Sequence, residues 1–103
     1  MARSDSRRGH QRERDLVNWL RERDWFAMRA PASLGVADVI ALKDGERPRL
    51  IEVKSTARGP YAAFPPDDRA DLLFAADLAG AVAELCWHPP RGQRRFIPSD
   101  EWP

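Results

Sequence analysis

The segment Val36–Thr56, VADVIALKDGERPRLIEVKST, has the pattern of a strand, a turn and a second strand. Asp44-Gly45 lies between two apolar, β-forming runs and is a strong signal for a hairpin turn. Three charged residues, Asp38, Glu52 and Lys54, interrupt these runs. Because side chains alternate between the two faces of a strand, Glu52 and Lys54 must lie on the same face.

The register of this hairpin decides whether Asp38 and Glu52 can meet. A two-residue loop would pair Asp38 with Ile51 and would leave the two carboxylates on opposite faces. A three-residue loop, Asp44–Glu46, would place Asp38 directly opposite Glu52, with Cβ atoms about 5 Å apart. We predict the second register, or a bulge with the same effect.

Two carboxylates on one face form a hard oxygen site suited to Mg²⁺, which takes a few protein oxygens and keeps several waters. Such an ion polarises a phosphodiester and helps to generate hydroxide. Lys54 would orient the attacking water or stabilise the developing phosphorane charge. The alternative is an exposed edge hairpin with an ordinary Glu–Lys pair, a pattern that is common by chance. The apolar residues around each charge give the two interpretations comparable weight on the hairpin alone.

The composition predicts one domain, residues 1–103, which is small enough that dimerisation would add to its stability. The single cysteine, Cys86, excludes a disulfide framework and fits the reducing cytoplasm, or a host cytoplasm if the gene is viral. No apolar run reaches the roughly 20 residues of a membrane span, and the N-terminus has no signal-peptide core. No glycine-rich loop that would cradle phosphates is present, and we expect no membrane association and no small-molecule cofactor.

The net charge of +1 says nothing about nucleic acid, but the distribution of arginine does. Fifteen of the 17 basic residues are arginine, which favours bidentate contacts to phosphate. The alternative is a solvated helix face with pairs at i,i+4. The arginines concentrate in two places: Arg3, Arg7, Arg8, Arg12, Arg14, Arg21 and Arg23 near the N-terminus, and Arg91, Arg94 and Arg95 near the C-terminus.

Periodicity and breakers predict an α/β chain in the order α-β-β-β-α-β-β. Residues 1–8 resemble a loose basic arm, and a long loop that could form part of a DNA or dimer surface follows Lys54. The predicted elements are a helix over 10–23, strands over 25–29, 36–42 and 49–56, a helix from Pro65-Pro66 to a stop at Gly80, and strands over 81–87 and 94–97.

Two further side chains are candidates for the hairpin site. Glu13 precedes Leu16 and Val17 by three and four residues, so it lies on the buried face of the first helix, where a carboxylate is costly unless something binds it. The alternative is a rim glutamate that reaches water. Ser33, in the loop before the Asp38 strand, could donate to a phosphate or hold a metal-bound water, although an ordinary turn serine is the simpler reading. His88 has no neighbour that would make it a zinc ligand, and we interpret it as structural or incidental.

Together these residues resemble the PD-(D/E)xK nuclease superfamily and, more specifically, the archaeal-type Holliday junction resolvases. The resemblance implies a restriction-endonuclease-like fold, a central mixed five-stranded sheet flanked by helices. Ala37 stands where the motif usually has proline, and the chain is shorter after Gly80 than typical members. The resemblance is carried by residues 8–16, 29–33, 36–39 and 51–55, and more weakly by 69–85 and 95–97.

The resemblance also implies roles for site residues. Asp38 and Glu52 would hold Mg²⁺, for which Mn²⁺ is the expected substitute, with the Val53 carbonyl adding an oxygen. Glu13 would be the helix carboxylate near the metal and a candidate further ligand. Lys54 would assist the nucleophilic water. The loop serine used in cleavage would be Ser33.

Members of this family act as homodimers on four-way DNA junctions, and symmetric resolution of a junction needs two sites related by a two-fold axis. We therefore expect a Mg²⁺-dependent, structure-selective endodeoxyribonuclease. The alternatives are a nuclease of the same fold acting on other branched or duplex DNA, and a catalytically silent DNA-binding module. The residues expected to contact DNA are Arg7, Arg8, Arg12, Arg29 and Arg58.

Overall fold

The helices and strands follow the predicted order in the computed structural model, which describes residues 3–31 and 35–103, without the side chains of residues 3–8. A short 3₁₀ helix, Ser99–Glu101, follows the last strand. The elements are α1 (Arg3–Arg21), β1 (Phe26–Arg29), β2 (Val39–Leu42), β3 (Arg49–Lys54), α2 (Pro66–Ala79), β4 (Val82–Trp87) and β5 (Arg95–Pro98).

The five strands form one mixed sheet in the order β1-β2-β3-β4-β5. The pair β3–β4 is parallel, and the other neighbouring pairs are antiparallel. A parallel pair needs a crossover connection, and α2 supplies it. The predicted fold class, a restriction-endonuclease-like mixed sheet with flanking helices, is confirmed.

The two helices cover opposite faces of the sheet. On β3, Ile51 and Val53 pack in the cluster with α1, whereas Leu50 packs against the cluster with α2. A one-residue slip of β3 would exchange these two sets, so burial on both faces fixes the register. The α1 cluster includes the predicted stripe of Leu16, Val17 and Leu20, and the α2 cluster includes Phe64, Leu72, Ala76 and Leu85.

Helix α1 is longer at its N-terminus than predicted. It begins at Arg3, so the backbone of residues 3–8 is helical and not a loose arm. Gly9 lies inside this helix, where glycine costs about 1 kcal/mol relative to alanine. That cost is small enough for the flanking turns to continue the helix through it. The helix ends at Arg21, two residues before the predicted end, and Asp24 follows with a positive φ of 69°.

Helix α2 has the predicted ends. Pro66 opens it, and Asp67 and Asp68 lie in its first turn, at the positive end of the helix dipole. Gly80 terminates it with φ of 64°, and the next residue, Ala81, donates its N–H to the Ala76 carbonyl at 2.8 Å. This left-handed cap turns the chain directly into β4. In the described part of the chain, no helix is both long and apolar enough to cross a membrane.

Candidate active site

The hairpin register brings Asp38 opposite Glu52. Val39 pairs with Ile51 and Ile40 with Leu50, so the next pair outward is Asp38 with Glu52. The Asp38 N–H still donates to the Ile51 carbonyl at 3.0 Å, although the strand proper begins one residue later. The predicted register is therefore confirmed, although strand pairing stops earlier and residues 43–48 connect β2 to β3. This register places both carboxylates at the same end of the β2–β3 ribbon.

The turn of this hairpin follows from its glycine. Gly45 has φ of 81°, a backbone conformation in which a side chain would be strained. The turn is closed by the Glu46 N–H, which donates to the Lys43 carbonyl at 3.0 Å. A glycine at this position thus sets the loop length, and the loop length sets which face Asp38 occupies.

The Asp38 carboxylate is tied to the neighbouring strand. Its Oδ2 accepts the N–H of Val53 at 2.8 Å. Burial is the largest influence on Asp38 and raises its pKa to about 6. The Val53 N–H opposes that rise, and the nearby Glu13 carboxylate adds to it. Asp38 is thus a half-buried acid that lies close to a second one.

Glu52 and Lys54 form an ion pair on the face that alternation predicts. Lys54 Nζ lies 3.2 Å from Glu52 Oε2, and both side chains are mostly buried, with 23% and 16% of their surface exposed. Burial, followed by the charge of Asp38, raises the pKa of Glu52 to about 7. The ammonium of Lys54 works against that rise but does not cancel it. The site therefore concentrates more negative charge than its single lysine neutralises.

Glu13 reaches the site from α1. Its Oε1 accepts the Nε–H of Arg29 at 3.0 Å, and only 15% of the Glu13 side chain is exposed. Arg29 is at the end of β1, next in the sheet to the start of β2. This ion pair explains how a carboxylate is accommodated on the buried side of α1, because a buried charge needs a partner. The alternative of a rim glutamate reaching water is not what the structure shows.

Two adjoining pockets open onto these acids. One of about 350 Å³ extends towards His10, and the other, of about 400 Å³, extends towards Ser55 and Thr56. Both are lined by Glu13, Asp38 and Glu52. We call the two together the carboxylate cleft. Arg29 lines its first part, and Val53 and Lys54 line its second, so six of the predicted site residues converge on one concavity.

The other predicted site residues either are not described by the structure or do not line the cleft. Ser33 lies outside the described residues, as do the side chains of Arg7 and Arg8. Arg58 is exposed in the loop after β3 and lines neither part of the cleft. Arg12 lines a different cavity.

His10 is a cleft residue that the sequence reasoning missed. It lines the cleft together with Glu13, which follows it by three residues on α1. Residues three apart on a helix share a face, so the spacing from Glu13 was a usable signal.

The donor set suits a hard cation, although its geometry is not that of a closed metal site. Among residues 3–31 and 35–103 no group of three His, Cys, Asp or Glu side chains is arranged to hold a metal ion. Glu13 and Glu52 are engaged by Arg29 and Lys54. Asp38 and Glu52 nevertheless offer carboxylates whose pKa values are raised by burial and by a neighbouring carboxylate, Glu13 for Asp38 and Asp38 for Glu52. A divalent cation relieves both effects, so the residues fit an ion that retains water ligands.

Comparison with known proteins agrees with this geometry. The family model described as archaeal Holliday junction resolvase (Hjc) matches residues 4–102. The chain belongs to this family. The Hjc family is a nuclease family of Holliday junction resolvases, so the resemblance inferred from the hairpin, the first helix and the flanking loops is confirmed.

A solved structure supports the same assignment. Hjc from Archaeoglobus fulgidus, described as a Holliday junction resolvase from an archaeal hyperthermophile, is 30% identical to this chain. The match has a TM-score of 0.78 and covers 90% of this chain and 74% of that one. No protein with a curated description matches the sequence.

Proposed function

We propose that this chain is a Mg²⁺-dependent, structure-selective endodeoxyribonuclease that resolves four-way DNA junctions by paired hydrolysis in a homodimer. The observation that carries the proposal is the hairpin register. It gathers Asp38, Glu52 and Lys54 in one cleft of a chain that belongs to the Hjc family. The clustering of these groups at a concave surface is what phosphodiester hydrolysis needs.

Asp38 and Glu52 would hold the cation, with the Val53 carbonyl adding an oxygen. When bound, the ion supplies Lewis-acid polarisation of the phosphodiester and a more acidic water. The Val53 N–H fixes the Asp38 carboxylate at 2.8 Å, so that oxygen is oriented before any ligand arrives. Charge repulsion between the two acids is the reason that the cleft favours a cation.

Lys54 acts on the attacking water or on the developing charge. Its Nζ is held 3.2 Å from Glu52 and stays at the wall of the cleft. In the reaction the water oxygen forms a bond to phosphorus, one ester oxygen leaves with a proton, and negative charge grows on the other phosphate oxygens. Because this charge is greatest in the transition state, an ammonium beside it stabilises the transition state more than the ground state. Ser33 remains the proposed loop donor to the same phosphate.

DNA would reach the cleft along basic side chains. Arg29 lies at the cleft itself, where its contact with Glu13 holds the guanidinium in place. Contacts of this kind position the backbone without reading the bases. The proposed contacts are Arg7, Arg8, Arg12, Arg29 and Arg58. Each chain contributes one cleft, so two incisions across a junction call for two copies related by a two-fold axis.

The test is cleavage of a synthetic four-way junction, with linear duplex as a second substrate. We expect symmetric nicks with Mg²⁺ or Mn²⁺ and none in EDTA. Asp38→Asn and Glu52→Gln should each slow cleavage about a thousandfold, because losing a metal ligand removes several kcal/mol of transition-state stabilisation. Asp44→Asn, in the exposed turn of the same hairpin, is the matched control and should cut normally.

Three outcomes would contradict parts of this proposal. Cleavage that survives Asp38→Asn would refute the role of the carboxylate pair. Equal cutting of junction and linear duplex would point to the broader duplex nuclease. Tight junction binding without any cleavage would leave a silent DNA-binding module.

A further inference from the structure

A second cavity lies beside α1 and shares no lining residue with the carboxylate cleft. Its volume is about 490 Å³. Helix α1 contributes Arg12 and Trp19, the chain just after β4 contributes His88, and the region around the start of β5 contributes Arg94 and Phe96. Nothing in the proposed cleavage chemistry uses this cavity.

The lining of the cavity is basic. Arg12 and Arg94 are its charged side chains, and none of its lining residues is acidic. Their positive charges, together with burial as the larger influence, lower the pKa of His88 to about 4. The Asp15 carboxylate opposes this decrease in the pKa of His88, and it accepts a hydrogen bond from the Gln11 side chain at 2.8 Å. The cavity therefore carries positive potential that its own residues do not neutralise.

Arg94 carries a buried donor for which the described residues supply no acceptor. Its Nε is buried and has no hydrogen-bond partner among the described residues. Its guanidinium lies 5.5 Å from the centroid of the Trp19 ring, and Trp19 packs on Phe96 with centroids 5.3 Å apart. The guanidinium therefore lies beside an aromatic pair. A buried N–H donor without an acceptor is rare in folded proteins, so an acceptor is expected here.

The cavity is connected to the cleft through two elements. Arg12 and Glu13 are consecutive on α1 and project about 100° apart, so one helix presents a cation to the cavity and a carboxylate to the cleft. On the sheet, the His88 N–H donates to the Lys54 carbonyl at 2.8 Å. His88 is more than nine-tenths buried at this junction of strand ends. The cavity and the cleft are therefore neighbours along α1.

We propose that this cavity is a second phosphate-binding site, which takes a backbone phosphate of the DNA strand beside the one being cut. Arg94 Nε and the Arg12 guanidinium are the donors to that phosphate, and Trp19 forms the wall. Arginine suits this position because its planar fork can donate two parallel hydrogen bonds to one phosphate. The choice of DNA over free phosphate rests on the proposed function, whereas phosphate binding itself does not.

The first test uses inorganic phosphate as the probe, in EDTA, followed by NMR. The chain has two histidines and four tryptophans, so the imidazole and indole signals are few, and His10 reports separately on the cleft. We expect saturable shifts at His88 and Trp19 that weaken about tenfold or more in Arg94→Gln. Arg91→Gln removes the same charge from an exposed residue nearby and should bind phosphate normally.

Absence of saturable shifts, or equal shifts in Arg94→Gln and Arg91→Gln, would overturn the site. If Arg94→Gln has lost its folded circular dichroism spectrum, Arg12→Gln takes its place with the same expected result. Thermal melts of all variants show which ones are folded.

The second test separates the two sources of phosphate. A four-way junction should displace inorganic phosphate from the His88 signal, and Arg94→Gln should weaken junction binding more than Arg91→Gln does. If the junction does not displace inorganic phosphate, the cavity binds free phosphate and the assignment to DNA is overturned. Junction cleavage that is absent while the phosphate shifts persist would refute the proposed function alone, and cleavage without phosphate shifts would refute the cavity alone.

Discussion

Asp38→Asn should stabilise the metal-free protein at pH 8. Burial and the Glu13 carboxylate raise the pKa of Asp38 from 3.8 to about 6, so the folded state disfavours the ionised form. At about 1.36 kcal/mol for each pKa unit, the difference of about two units corresponds to roughly 3 kcal/mol. Because Asp38 and Glu52 act on each other, we expect a gain on the order of 2 kcal/mol.

The stability difference between Asp38→Asn and the natural chain depends on pH. A carboxyl whose folded pKa is raised favours the folded state when it is protonated, and that advantage is lost as pH rises through about 6. An asparagine is neutral at every pH, so its benefit over aspartate is absent below about pH 4, grows as the pH rises to about 6, and is complete above that. Asparagine Oδ1 can still accept the Val53 N–H, which keeps the strand contact.

The assay is urea or thermal denaturation in EDTA at pH 4 and pH 8, followed by circular dichroism. For a domain of this size, 2 kcal/mol corresponds to a shift in Tm on the order of 10 °C. Asp44→Asn, in the exposed turn of the same hairpin, should change little at either pH. The reasoning fails if Asp38→Asn is no more stable than the natural chain at pH 8, or if its gain is equal at the two pH values.

Three further predictions concern the cleft and the core. Mg²⁺ added at pH 8 should raise the Tm of the natural chain and leave that of Asp38→Asn nearly unchanged, because a ligand that binds only the folded state stabilises it. A titration followed by scanning fluorimetry measures the two shifts, and equal shifts would show that Asp38 is not a ligand of the ion. Arg29→Gln should cost about 1–3 kcal/mol, because it leaves the mostly buried Glu13 carboxylate without its cation, and it should reduce junction cleavage. Normal cleavage by the folded variant would exclude Arg29 from the DNA path. Leu16→Ala, in the fully buried α1 cluster, should cost about 2–5 kcal/mol in urea denaturation, whereas Leu78→Ala, at an exposed position of α2, should cost much less.

The cleft was predictable from the sequence because its geometry is local. Asp38 and Glu52 are 14 residues apart, and a glycine turn with alternating apolar residues determines how they pair. The ends of α2 were predictable for the same reason, since Pro66 and Gly80 act on their immediate neighbours. Sequence patterns that act within one hairpin or one helix turn can be interpreted without knowledge of the rest of the fold.

The parts that escaped prediction depend on distant contacts or on small energy differences. The start of α1 was misplaced because a single glycine disfavours a helix too weakly to decide the outcome. The second cavity was missed because it needs two distant contacts: the parallel pairing of β3 with β4, which brings His88 to Lys54, and the packing of α1 on the face of the sheet. His88 alone, beside two prolines, carries no local pattern that reveals this neighbourhood.

One physical feature links the stability of the cleft to its proposed chemistry. The same burial that raises the pKa values of Asp38 and Glu52 makes the metal-free cleft a source of strain at neutral pH. Neutral residues of similar shape in place of these two half-buried acids would give the metal-free fold a higher stability. The presence of the two acids is understandable if a cation completes the charge balance. The expected signature of a cleft shaped by function is therefore that the stability advantage of Asp38→Asn in EDTA decreases when Mg²⁺ is added.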